Sequence, residues 1–488
     1  MKRRITFIFL LISCMPVFAQ TESREKLYSN ILKDTVYYNV VVPEGRDINE
    51  PLPALYALKY GMIDGPYIAS QLRYFKGARY PVLNMIVVTV LADMDRIGFV
   101  YETGLLTETG KKFLACLKNE IIADVERKYH VADFRAYVGH SYAASYANYL
   151  FQHEPGIFNG YILLAPEKVN APFVFDARTI HRKTFYYAAV GEFDLERRHV
   201  YAKNICNQLK SVDSSRLFTQ YDSIPRGDHS NILTMAIQPA VEFISQCYDP
   251  NADVDPGKNA WDAFANIGER ITKTYGVNVE KNYVWYSRFA QLAISRKDSA
   301  SLIKLLDHFS SDKLKGYDTR TFGDYCARLG LMKRAEHYYL STIQKVSAIR
   351  EKEGWEFFVL SDCYRGLAME VEKNDHEKAW EYLQKALQVA DATSKYGSTP
   401  LDTYFEVGRF LIDNGYRVKE GVGYLLKYLQ LRSNTLDEIH WGYGKIHTNL
   451  GKGYYLLKDY ANTRLYLQKA LAIDQDNKEA KELLKKLN

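Results

Sequence analysis

From Thr35 to about Ile244, short apolar runs alternate with stretches of helical period, and after that point the runs stop. "TVYYNVVV" (Thr35–Val42), "PALYALKY" (Pro53–Tyr60) and "NMIVVTVLA" (Asn84–Ala92) have the length and β-branched content of strands. "KKFLACLKNEIIADVERKY" (Lys111–Tyr129) spaces its apolar residues at three and four, as a helix does. "AYVGHS", a helix, "GYILLAPE", "KTFYYAAVGEFD", a helix near Tyr201–Leu209 and "RLFTQYDSIPRGDH" continue the alternation. Such a rhythm predicts a mainly parallel sheet with helices on both faces. "YDPNADVDPGKNAW" (Tyr248–Trp261) holds two prolines, a glycine and several Asp and Asn residues, the composition of a linker. Beyond it, Glu269 to Asn488 reads as helix after helix. The expected organisation is a leader over 1–19, an α/β domain over 20–247, a linker over 248–262 and an all-α domain over 263–488.

The helical half carries a repeat. "KRAEHYYLSTI", "EKAWEYLQKAL", "KEGVGYLLKYL" and the helix after Asp459 place small residues at Ala335, Ala379, Gly421 and Thr463, spaced 44, 42 and 42 apart. The last unit, Asn449–Asn477, resembles a tetratricopeptide repeat at Leu450-Gly451, Tyr454, Thr463, Leu467 and Ala470, with a spacing longer than the usual 34. Such hairpins cannot bury their apolar faces alone and must stack. An unrelated helical hairpin array is the alternative.

In the first half, "YVGHSYAAS" (Tyr137–Ser145) follows an apolar strand and opens a helix. That is the setting of a nucleophile elbow, where the serine sits on a strained turn and positions two before and two after must be small. Gly139 and Ala143 flank Ser141 in this way. A serine nucleophile needs a base, and the base an orienting acid, in the chain order Ser, Asp/Glu, His. "VGEFD" ends an apolar strand with Glu192 and Asp194 at its tip, and "PRGDHSN" puts His229 in the loop after the last strand. Asp194 is the preferred acid, Glu192 its rival, and Asp228 a weak third that shapes the histidine loop. His140 should face away from the serine, as a packing residue or as one that supports the site residues from behind. An oxyanion needs donors, expected at the backbone N–H of Tyr142 and of Tyr60 or Gly61.

Together "LYALKYG", "TGKKFLACLKNEIIADVERKYHV", "YVGHSYAASYANYLFQHEPGIFNGYILLAPE", "VGEFD" and "GDHSN" resemble the esterase D type of α/β-hydrolase. That family includes enterobactin-type siderophore esterases, S-formylglutathione hydrolases and feruloyl or acetyl-xylan esterases. The resemblance spans about Thr35 to Ile244 and implies an α/β-hydrolase domain and ester hydrolysis. The family's "LDG" is replaced by Leu58-Lys59-Tyr60-Gly61, and its two glycines by Ala143-Ala144.

Lys2, Arg3 and Arg4, the apolar Ile5–Ile12 and "VFAQ" form an export leader with a cut ahead of Gln20. "LISC" offers lipoprotein anchoring at Cys14 as the alternative. The leader is too short to span a bilayer, and no later stretch is long and apolar enough to do so. A formal charge of +6 on 488 residues, without a basic run, argues against nucleic acid. The five cysteines after the leader are widely spaced and form no CxxC metal pattern. They read as buried small hydrophobes, with Cys206–Cys247 the one nominated bridge. The expected activity is a secreted serine esterase needing no metal or organic cofactor, acting on a small-molecule or glycan-linked ester. A protein or peptide would bind the repeats. Acyl transfer with the same triad, or a non-catalytic binding scaffold, are the alternatives. Loops 46–75 and 167–182 should shape the pocket.

Overall fold

Strands β1 (Thr21–Ser29), β2 (Asp34–Val42), β3 (Leu52–Leu58), β4 (Ile86–Leu91), β7 (Val131–His140), β8 (Gly160–Leu164), β9 (Thr184–Gly191) and β10 (Leu217–Ile224) form one sheet. A small hairpin pairs β5 (Phe99–Val100) with β6 (Leu105–Leu106). The structure is a computed structural model that describes residues 21–44, 49–77, 81–212, 215–249, 257–279, 283–309, 315–393, 401–432 and 443–487. The leader over 1–19, Cys14 included, lies outside the described residues, as does part of the proline-rich segment after Asp249.

The strand order is β1-β2-β4-β3-β7-β8-β9-β10. β1 pairs antiparallel with β2 and β2 antiparallel with β4; every later pairing is parallel. This is the α/β-hydrolase sheet. β8 ("GYILL") and β9 ("TFYYAAVG") are buried along their whole length, as strands covered on both faces must be. β1 ("TESREKLYS") is an edge strand with four charged side chains, which blunts edge-to-edge pairing. Few apolar residues mark it, so the apolar rhythm does not reveal it. The helix read over Lys111–Tyr129 is present but not uniform. Glu108–Cys116 and Ile122–Tyr129 are α-helical, with a π-turn at Leu117–Ile121 between them.

Because β3, β7, β8, β9 and β10 run parallel, their carboxyl ends meet at one edge. Leu58, His140, Leu164, Gly191 and Ile224 therefore deliver five loops to the same side of the sheet, where open α/β sheets bind ligands.

All five cysteines described are free and buried, so the nominated Cys206–Cys247 bridge is not formed. Their surroundings differ. Cys206 lies on helix Glu196–Lys210 with its thiol toward the Gln220 carbonyl, and Cys247 sits beside the Lys183 ammonium.

The chain divides into two compact units. The first reaches Lys258 and resumes over Asp262–Trp285; the second comprises Asn259–Trp261 and Tyr286–Asn488. In the first unit, the Tyr275 hydroxyl donates to the Ile244 carbonyl and its ring packs edge-on against Phe134 at 4.9 Å. The second unit is all-α. Its helices pair as Gly316–Arg328 with Met332–Ser347, Gly354–Val371 with His376–Thr393, Leu401–Asp413 with Val418–Arg432, and Tyr443–Leu456 with Tyr460–Ile473. Ala335, Ala379, Gly421 and Thr463 are buried in these pairs. Close helix approach explains the small residues: a Cβ on Gly451 would stand 2.5 Å from the Leu467 side chain, and one on Gly408 2.7 Å from Leu425. Among the described residues, no helix is long and apolar enough to cross a membrane.

Candidate active site

Ser141 sits between β7 and helix Tyr142–His153 with φ 56° and ψ −121°, a backbone conformation that costs an L-residue about 1–3 kcal/mol. The surroundings hold it there. Its N–H donates to the Leu164 carbonyl at 2.9 Å, and Ala144 and Ser145 N–H groups return to its own carbonyl at 3.0 and 3.1 Å. A Cβ on Gly139 would lie 2.5 Å from the Ala143 carbonyl oxygen, which is why this position is glycine. The small residues read from the sequence are thus what lets strand and helix meet at so sharp a corner.

The β9 and β10 loops are pressed together backbone to backbone. A Cβ on Gly191 would stand 2.4 Å from the Gly227 carbonyl carbon, and Phe193 N–H donates to the Gly227 carbonyl at 2.8 Å. This packing brings His229 to Asp194, with Nδ1 and Oδ2 3.0 Å apart. Asp194 is almost wholly enclosed, its side chain 1% exposed, while that of His229 is 34% exposed. Burial favours the neutral carboxyl, but the Leu195 N–H, Arg198 and His229 outweigh it and hold Asp194 below the usual carboxylate range.

Glu192 does not meet the histidine. Its carboxylate accepts the Arg226 N–H at 2.7 Å and closes the turn after β10. Asp228 accepts the N–H groups of Ser230 and Asn231 at 2.7 and 2.9 Å, which shapes the loop that carries His229.

His140 is buried and joins two loops. Its Nδ1 accepts the Met62 N–H at 3.3 Å, and its Nε2 faces the His229 carbonyl at 2.9 Å. An acceptor at Nδ1 and a donor at Nε2 define the neutral tautomer with the proton on Nε2. Burial first, then His229, pushes its pKa down to about 4. Its ring centroid lies 4.4 Å from that of His229. Ser141 and His229 are therefore on adjoining loops, with no hydrogen bond between hydroxyl and ring.

Of the backbone donors expected at an oxyanion, Tyr142 opens its helix and its N–H has no acceptor among the described residues. The Gly61 N–H likewise has none. Tyr60 is corrected: its N–H is spent on the Leu58 carbonyl at 2.8 Å, because the chain turns tightly as it leaves β3. Its ring instead packs 6.2 Å from that of Tyr142, which also meets Tyr101 at 4.9 Å.

A buried ion network was not read from the sequence. Arg198 Nε and Nη2 reach Glu167 Oε2 at 3.0 and 2.7 Å, and Nη1 pairs with Asp194 Oδ1. Arg197 Nε adds a bond to Glu167 Oε1 at 2.9 Å. The one signal available was Arg198 four residues after Asp194 at a helix start, a spacing at which ion pairs form. Glu167, at the start of the 167–182 loop, carried none.

No protein-family model matches the sequence, and no curated protein matches it. Solved structures do. An uncharacterised protein from Capnocytophaga ochracea is 17% identical, with 67% of this chain and 94% of that one covered and a TM-score of 0.48. An IroE-like serine hydrolase from Shewanella oneidensis is 15% identical, covering 59% and 100%, at 0.45. An S-formylglutathione hydrolase from Agrobacterium tumefaciens is 15% identical, covering 47% and 96%, at 0.35.

Proposed function

We propose that this chain is an exported serine carboxylic-ester hydrolase with Ser141 as nucleophile, His229 as general base and Asp194 as the acid that orients it. The observation that carries the reading is the 3.0 Å contact of His229 Nδ1 with enclosed Asp194, beside a serine on a left-handed elbow. Ser141 Oγ attacks the acyl carbonyl while His229 Nε2 takes its proton. The tetrahedral oxyanion is met by the Tyr142 and Gly61 N–H groups. The intermediate collapses, the alcohol leaves with the proton from His229, and the acyl group stays on Ser141. Water, deprotonated by the same imidazole, then releases the acid and restores the serine. The substrate is a small-molecule or glycan-linked acyl ester, and the siderophore and carbohydrate esters implied by the family resemblance fit that description. The helical unit, as a repeat array, binds a protein or peptide partner.

The test is turnover of p-nitrophenyl acetate and butyrate by the mature protein beside Ser141→Ala. Loss of the serine should cost on the order of a millionfold in kcat. Equal rates reject the reading.

A further inference from the structure

The Glu167–Arg198 pair is not needed to close a helix or a turn, yet three elements converge on it. Glu167 comes from the loop after β8, Arg198 from helix Glu196–Lys210, and Ser145, on the nucleophile's own helix, donates its hydroxyl to the Glu167 carbonyl at 2.6 Å. The Arg198 and Glu167 side chains are 10% and 8% exposed. Enclosing such charges carries a desolvation penalty that apolar residues of similar size would avoid, so the pair is poorly explained as a device for stability. What it touches is the acid. Arg198 takes Asp194 Oδ1 and leaves Oδ2 for His229.

We infer that Arg198, anchored by Glu167, is a positioning residue for the Asp194–His229 pair, turning the carboxylate's second oxygen to Nδ1 and offsetting part of its charge at the imidazole. Removing the guanidinium would leave the Asp194 charge uncompensated beside the imidazole, and removing the Glu167 carboxylate would do the reverse. Other charged or titratable groups on the elements near His229 are His140, Glu192, Asp228, Arg197 and Arg226. His140, on β7, holds the neutral tautomer between two backbone groups. Glu192, in the β9 loop, accepts the Arg226 N–H. Asp228, in the histidine loop, caps its own turn. Arg197 is paired with Glu167. Arg226, also in the histidine loop, is exposed.

The inference rests on the esterase reading and predicts shifts of opposite sign. In the full chain, Arg198→Leu should move the acid limb of the kcat/KM–pH profile upward by on the order of one to two pH units, the size of effect a unit charge exerts over several ångströms at a dielectric near 20. Glu167→Gln removes a negative charge and should move the limb downward. Arg198→Lys keeps the charge and should restore the limb while recovering only part of the rate, since an ammonium cannot span both carboxylates. The same midpoints are read without turnover from the Cε1–H resonance of His229 in protein labelled at histidine, identified by its loss in His229→Gln. Opposite displacements of that midpoint in Arg198→Leu and Glu167→Gln support the role. Rate losses with unmoved midpoints, or shifts of one sign, overturn it. The resonance decides this inference even if Ser141→Ala leaves turnover intact and the esterase reading falls.

Discussion

His140 Nε2 lies 2.9 Å from the carbonyl oxygen of His229, while the opposite ring nitrogen takes the Met62 N–H. One imidazole therefore ties the loop of a proposed oxyanion donor, Gly61, to the loop of the proposed base. Asn can imitate the Nδ1 contact and Gln the Nε2 contact, but neither spans both. His140→Leu should lower kcat about 100-fold with little change in KM, because the Gly61 donor acts on the transition state. His140→Asn, which keeps the Met62 contact, should lose less than His140→Leu. Steady-state kinetics on p-nitrophenyl esters check this.

The same residue makes stability depend on pH. Its pKa falls from 6.5 to about 4 on folding, so the unfolded chain binds the proton more readily. The neutral ring's contribution is complete above pH 6.5 and is lost as pH falls through about 4. The loss is on the order of 3 kcal/mol. Urea unfolding of the wild type against His140→Asn across pH 4–7 should show the difference between the two shrinking toward acid.

Asp194 and Glu192 stand two residues apart on one loop but face different partners. Asp194→Asn should cut kcat about 10,000-fold, as expected when the histidine is held in the wrong tautomer. Glu192→Gln keeps an acceptor for the Arg226 N–H and should stay within about tenfold of wild type. Parallel measurement of kcat for both variants decides between them.

Gly61 adopts φ +59°, and a Cβ there would lie 2.3 Å from His140 Nδ1. Gly61→Ala should therefore displace the loop, with a loss of at least about 100-fold in kcat and a stability cost of about 1–2 kcal/mol. Kinetics together with thermal unfolding check both parts.

In the helical unit, Gly451 faces Leu467 across its hairpin. Gly451→Leu should overpack that contact and cost about 1–3 kcal/mol, read as an earlier loss of helical circular dichroism on heating.

Much of this architecture was legible because it is written in local pattern. The apolar runs that became β3, β4, β8 and β9 are continuous since both of their faces are covered, and Gly139 and Ala143 are small because the elbow is tight. What escaped reading is held by contacts between distant segments. β1 is a charged edge whose strand character comes from pairing with β2. Tyr60's unavailability depends on a two-residue turn. Glu167 has no sequence signature at all, because its partners Arg197 and Arg198 lie some thirty positions away and meet it only once the sheet has formed.

The central claim is that Ser141 is an activated nucleophile, and covalent capture tests it most directly. The mature protein is treated with diisopropyl fluorophosphate and mapped by peptide mass spectrometry, beside His229→Gln. The account predicts one adduct per chain, on Ser141, formed at least about 1000-fold more slowly in the histidine variant. An unmodified Ser141, or an adduct forming equally fast without the imidazole, contradicts it.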